Sequence, residues 1–128
     1  MTVRIVRLGS ARVQGEGTRI GTVRRPPRGV PKSQFAAQNW YDVWCPDLAP
    51  SAEAIRVGLD AASEAQWTHF VRRYRTEMRS PHARRLLDLL AALSRQANFS
   101  VGCYCENEAR CHRSVLRELL LQRDASVA

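Results

Sequence analysis

The sequence predicts an α/β fold: a single three-layer domain with a small, mostly parallel sheet, ending in a C-terminal strand-loop-helix that carries a Cys/His loop. Three observations predict it. Short apolar runs of strand length come early in the chain. Segments with the 3.6-residue apolar period occupy its middle, and a last strand-like run passes directly into a polar loop and a helical pattern.

The elements follow in order. Residues 3–8 alternate apolar and basic side chains and read as a strand ended by Gly9-Ser10. Residues 14–18 form a turn and residues 19–24 a second strand. Residues 24–32 hold Pro26, Pro27, Gly29 and Pro31, which keep that stretch out of regular structure. Residues 40–45 are an aromatic, extended stretch that stops at Pro46, and Ser51 caps a short helix that ends near Gly58. Ser63 and Gln66 make a capping box ahead of Trp67, Phe70, Val71, Tyr74 and Met78, which share one helical face, while Arg72, Arg73, Arg75 and Arg79 lie off it. Ser80-Pro81 opens the next helix, with Leu86, Leu87, Leu89, Leu90 and Leu93 expected as its buried stripe. Residues 99–105 are the final strand and residues 112–122 the final helix.

A chain of 128 residues with 45% hydrophobic content suits one domain over residues 1–128, with an ordered core at about 3–122. No apolar run approaches the ~20 residues of a membrane helix, and the alternating N-terminus has no signal-peptide core. A cytoplasmic protein without a membrane partner is therefore expected. Three of the four cysteines cluster within residues 103–113 rather than spreading as a disulfide framework. In a reducing compartment such a cluster is a metal, redox or catalytic pattern.

The net charge is +8, and Lys32 is the only lysine among twenty basic side chains. Guanidinium groups grip phosphate bidentately, so an anionic partner is one explanation, either nucleic acid or an anionic small molecule. Surface charge written as arginine by a high-GC genome is another, and it suffices for the arginines as a whole. Local clusters have to carry any functional case.

The strongest cluster is Cys103-Tyr104-Cys105-Glu106-Asn107-Glu108-Ala109-Arg110-Cys111-His112-Arg113. A strand that feeds a polar loop and then a helix presents side chains at the mouth of a sheet, beside unpaired helix amides. Phe99, Val101, Cys103 and Cys105 would share one strand face. Cys111 at the helix start, flanked by Arg110 and Arg113, would be acidified towards thiolate, with His112 as its proton partner. The same atoms also make a zinc set by count: Cys103, Cys105, Cys111 and His112. Spacing argues against it, because strand residues i and i+2 lie ~6.6 Å apart whereas sulfurs sharing a zinc sit roughly 3.8 Å apart. Adjacent Cys111 and His112 would also diverge on a helix. A third reading makes the cysteines small buried apolar residues and His112 a cap. The cluster is not a phosphatase loop: the position six beyond Cys105 is Cys111, and six beyond Cys103 is Ala109, where that motif needs arginine.

Arg24, Arg25, Arg28 and Lys32 make the proline-rich stretch either an anion clamp facing the cysteine loop or a solvated connection. Trp40, Tyr41 and Trp44 read as core. Asp42 or Asp47 could serve as an acidic partner, and Cys45 as buried filler.

Gly17-Thr18-Arg19-Ile20, residues 25–32, Trp40, Leu48-Ala49-Pro50-Ser51, Trp67, Phe70, Tyr74 and Glu77-Met78 together resemble the YeaO-like branch of the family called domain of unknown function 488. The similarity runs from about Ile5 to Leu120. The ending Cys105-Glu106…Cys111-His112-Arg113 is similar to a Cys-Glu…Cys-His-Arg signature of the wider family, where the YeaO-like branch carries an Asn-His-Ala-type element. The resemblance implies a small α/β fold in a bacterial cytoplasm and assigns no reaction.

The expected site therefore lies at the carboxyl end of the last strand. Cys105 and Cys111 are its candidate nucleophile or redox thiols and His112 its acid-base group. Arg113, Arg110, Arg25, Arg28, Lys32 and Glu106 are its candidate substrate contacts. The substrate class is a phosphorylated or nucleotide-like anion. No cofactor is expected, zinc entering only as the alternative use of the thiols and His112. The competing reading is a non-catalytic nucleic-acid-binding module with structural or zinc-bound cysteines. The sequence leaves the oligomeric state open.

Overall fold

In the computed structural model, which describes residues 1–128, the strands β1 (Val3–Arg7), β2 (Thr18–Gly21), β3 (Val43–Trp44) and β4 (Phe99–Cys103) form one sheet in the order β1-β4-β2-β3. Every pairing is parallel. The last strand in sequence sits between the first two, and all five of its residues are buried. A central parallel strand is covered on both faces, which fits its apolar and small residues.

The register places Ile5, Val101 and Ile20 side by side, and this face packs under four helices. They are α1 (Ala52–Leu59), α2 (Glu64–Glu77), α3 (Pro81–Ser94) and α4 (His112–Leu121). Their starts follow the sequence signals. Ser51 accepts from the Ala54 amide, Ser63 and Gln66 form the reciprocal capping box, and Ser80 accepts from Ala83 with Pro81 at the first helical position. Tyr74, Leu48, Leu87, Leu116 and Leu120 are fully buried in this core.

The opposite face is covered by loops rather than helices. Arg4, Ser100 and Arg19 share it in register. Arg19 is fully buried and meets Glu16 through Nε–Oε2 at 2.8 Å and Nη2–Oε1 at 3.0 Å, while Ser100 Oγ donates to Glu16 Oε2 at 2.7 Å. Arg19 Nη1 donates to the carbonyls of Ser10 and Asn39. A charge taken out of water needs such complete pairing.

Some expectations change in detail. Leu89 and Leu93 are 59% and 40% exposed; α3 instead buries Ala83, Leu87, Leu90, Ala91 and Ser94. The stripe follows the positions that meet neighbours, and the helix turns its surplus leucines to solvent. The strand expected at 19–24 ends at Gly21, although the Thr22 amide still donates to the Gly102 carbonyl. Soon after it, Pro26 and Pro27 have no amide to offer a ladder. The extended stretch at 40–45 narrows to the two residues of β3. Residues beyond 122 are also seated: Val3 donates to Ser126 and accepts from Ala128 along the outer edge of β1. No helix is long and apolar enough to cross a membrane.

Candidate functional site

β4 leads straight into the cysteine loop. A Cβ on Gly102 would lie 2.7 Å from both the Val6 carbonyl oxygen and Leu8 Cδ2, so glycine lets Leu8 fold over the strand immediately before Cys103. The strand ends at Cys103, not at Cys105. Past it the chain bends through a 3₁₀ turn at Glu108–Arg110, where the Asn107 side chain accepts from the Ala109 amide. Cys111 is the N-cap of α4 with extended backbone, φ −134° and ψ 153°, and His112 is the first helical residue.

These two departures from regular geometry bring the thiols together. Because Cys105 lies beyond the strand, its Sγ stands 3.8 Å from Cys103 Sγ. Because Cys111 is a cap rather than a helical residue, its Sγ lies 3.7 Å from His112 Nδ1. Both spacing arguments against a shared ion therefore fail here. The donor atoms of Cys103, Cys111 and His112 all lie within 4.8 Å of one another, a separation one metal ion could span. All four cysteines are free thiols. Cys105 is exposed, whereas Cys103, Cys111 and His112 are buried.

The imidazole is oriented from the neighbouring strand. Thr22 Oγ1 donates to the Gly102 carbonyl at 3.0 Å and lies 3.2 Å from His112 Nε2. With its proton committed, the hydroxyl accepts from Nε2–H, which leaves Nδ1 as the ring nitrogen that can exchange a proton with Cys111. Tyr74 packs against the ring edge-on, with centroids 5.3 Å apart, and its own hydroxyl donates to the Leu48 carbonyl.

Hydrogen bonds from Cys103 and then Cys105 hold the Cys111 thiol well below its ordinary range; burial opposes them and His112 adds to them. Cys103 goes the other way, because it donates to Cys105 and Cys111 and is buried. Cys105 is favoured as thiolate by the bond from Cys103, but its donation to Cys111, the partial desolvation of its sulfur by the surrounding loop and the charge on Cys111 outweigh that and raise it. Of the three thiols, Cys111 is the one whose surroundings favour the thiolate. The sequence anticipates a depressed Cys111 from the helix terminus and Arg110 and Arg113; the donors that lower it most are thiols.

Above the thiols opens a cleft of about 1100 Å³. The cysteine loop, the loop at 24–28, the end of β1 with Trp40, and α1 with α2 form its walls. Of the anticipated residues, Cys105, Cys111, His112, Arg110, Arg25 and Arg28 line it together, and Cys103 joins them. Tyr104 ties the two loops, its hydroxyl donating to the Arg25 carbonyl at 2.9 Å. Arg110 lies over the Trp67 ring, 5.4 Å from its centroid, and pairs with Glu64.

Three anticipated contacts lie elsewhere. Arg113 is 3% exposed and outside the lining; its Nη2 donates to the Cys105 carbonyl at 2.6 Å and its Nε has no partner. It props the loop from within. Lys32 is exposed in a 3₁₀ turn at Lys32–Gln34, and Glu106 faces Arg7 at 3.7 Å in solvent. Asp42 is used by Arg12 and the Arg19 amide, Asp47 sits exposed in the turn Pro46–Leu48, and Cys45 packs half-buried against the core. Arg7, Arg56 and the rings of Trp40 and Trp67 also line the cleft, and Thr22 touches His112, although no sequence motif marks them. Thr22 carried a usable signal, two residues beyond Ile20 on the same strand face. Arg56 carried none, since only the path of α1 brings it to the cleft.

A family model described as the active DUF488-N3 subclade matches residues 3–124. No curated protein and no solved structure matches the chain.

Proposed function

Because the chain belongs to the DUF488 family, matching a subclade described as active, we propose that the Cys/His cluster is the reactive centre of a thiol-dependent enzyme acting on a phosphorylated or nucleotide-like anion. One observation carries the reading: Cys111 Sγ stands against His112 Nδ1, with two more thiols beside it, at the floor of a cleft lined by arginines and by no aspartate or glutamate.

Cys111 is the nucleophile, and Cys105 is the exposed second thiol. His112 takes the Cys111 proton at Nδ1 while Thr22 holds its other nitrogen. The thiolate attacks an electrophilic centre of the anion, forming a C–S or P–S bond, and the displaced group leaves with the proton from His112. Water then releases the held fragment and restores the thiol. Arg25, Arg28 and Arg110 hold the anion, and Arg113 fixes the Cys105 backbone.

A second reading has its own observation. The 3.8 Å separation of Cys103 and Cys105 matches the edge of a zinc–thiolate tetrahedron, about 3.8 Å. Cys103, Cys105, Cys111 and His112 would then hold zinc, and the basic cleft would be a non-catalytic nucleic-acid surface. Elemental analysis and iodoacetamide labelling with peptide mapping on one purified sample separate the two. The enzyme reading expects substoichiometric metal and Cys111 labelled fastest at neutral pH. One zinc per chain, with all three thiols inert until a chelator is added, would establish the other.

A further inference from the structure

The cleft has a two-part composition that the thiols do not account for. Its lining includes Arg7, Arg24, Arg25, Arg28, Arg56 and Arg110. Arg24 is committed to the carbonyls of Ala49 and Pro50, Arg7 faces Glu106, and Arg110 pairs with Glu64. Arg25, Arg28 and Arg56 form no ion pair, so three permanent cations share a concavity with no acidic lining. Such a concavity concentrates anions.

The rest of the wall is aromatic. Trp40 and Tyr104 meet edge to face with centroids 5.9 Å apart, both half-buried. Trp67 stacks on Phe70 at 4.8 Å and is covered by the Arg110 guanidinium. Flat rings and guanidinium planes are the surfaces on which nucleobases stack. The Tyr104–Arg25 hydrogen bond holds the ring and the loop of cations side by side. A cleft of about 1100 Å³ admits a ligand of nucleotide size.

We infer that the cleft takes a nucleoside monophosphate unit, its base against Trp40 and Tyr104 and its phosphate on Arg25 and Arg28. The inference rests on the reading of this cleft as the substrate site and names the class of substrate. A free nucleotide and the phosphorylated end of a nucleic-acid strand present the same chemistry. In either case the occupant covers the mouth of the thiol cluster.

Calorimetric titration of the full chain with AMP, adenosine and ribose 5-phosphate tests it. AMP is expected to bind at least tenfold more tightly than either fragment. Trp40→Ala should weaken AMP and adenosine and spare ribose 5-phosphate; the pair Arg25→Ala with Arg28→Ala should weaken AMP and ribose 5-phosphate and spare adenosine. A 5′-phosphorylated oligoadenylate bound tenfold tighter than AMP makes the strand end the source, and equal affinity makes it the free nucleotide. Ribose 5-phosphate binding as tightly as AMP, or no binding of any probe, overturns the inference. Cys111 alkylation is measured on the same sample without ligand, so a reactive Cys111 with no nucleotide binding sinks the substrate class alone. An inert Cys111 with AMP bound sinks the thiol reading alone.

Discussion

The Tyr104 hydroxyl donates to the Arg25 carbonyl at 2.9 Å across 79 positions of sequence. The side chain that separates Cys103 from Cys105 thus also fixes the loop that carries the unpaired arginines. The hydrogen bond ties the two loops into one geometry.

Tyr104→Phe keeps the ring and removes that bond. A neutral hydrogen bond contributes about 1 kcal/mol, so AMP affinity is expected to fall about fivefold, with the thermal midpoint moving only a few degrees. Titration of the variant beside the wild type reads this. Unchanged affinity would mean that the loop at 24–28 is held by its prolines and by Arg24 alone.

Thr22→Val removes the acceptor for His112 Nε2–H at nearly constant volume. A buried donor left without a partner costs about 1–3 kcal/mol, and the imidazole loses the contact that points Nδ1 at Cys111. Cys111 should alkylate several-fold more slowly at neutral pH, and Thr22→Ser should recover the wild-type rate. If Thr22→Val alkylates like the wild type, the tautomer is set by something other than the hydroxyl.

The shared charge of the thiol cluster gives a pH signature. A free thiol near pKa 8.5 alkylates about tenfold faster per pH unit below that value. Cys111, stabilised as thiolate by Cys103 and Cys105, should alkylate at a rate nearly flat between pH 6 and pH 8. Replacing both donors, Cys103→Ala with Cys105→Ala, should restore a steep rise. A steep rise in the wild type would show that the proton sits on Cys111 after all.

What was legible in the sequence was local. Ser63 with Gln66, and Ser80 with Pro81, announce helices because a cap acts across three residues. The strand-loop-helix at 99–121 was readable from two periods that meet at a polar run. Which arginine is buried was not. Arg113 and Arg19 look like any of their neighbours, and their burial depends on the Cys105 carbonyl in one case and on Glu16 and Ser100 in the other. The thiol spacing departs from regular geometry for a related reason: the strand stops before Cys105 and the helix starts after Cys111, so both residues fall just outside the elements whose periods the sequence shows.

Glu16 gives the acid limit of the fold. Burial alone would raise its carboxyl, but hydrogen bonds from Arg19, Ser100 and the Val13 amide, with the Arg19 charge, bring it from 4.5 to about 2. A carboxyl depressed in the folded state contributes stability that is fully present above its unfolded value and is lost as pH falls through the folded one. The window is therefore pH 4.5 down to about 2, and the contribution is about 3 kcal/mol. Asp42, beside Arg12, and Glu108, beside Arg117, are depressed as well, so the wild type should weaken in acid from several groups at once. Glu16→Gln isolates the one that matters. At pH 7 it leaves Arg19 buried without its counter-charge, at a cost of about 3–5 kcal/mol, and the gap between variant and wild type should shrink by about 3 kcal/mol towards pH 2. Urea unfolding at pH 7, 4.5, 3 and 2 reads the gap, and Ser100→Ala, which removes one donor and keeps the ion pair, gives a milder version if Glu16→Gln does not fold. A gap that stays constant across the window would mean that Glu16 is not the group that titrates there.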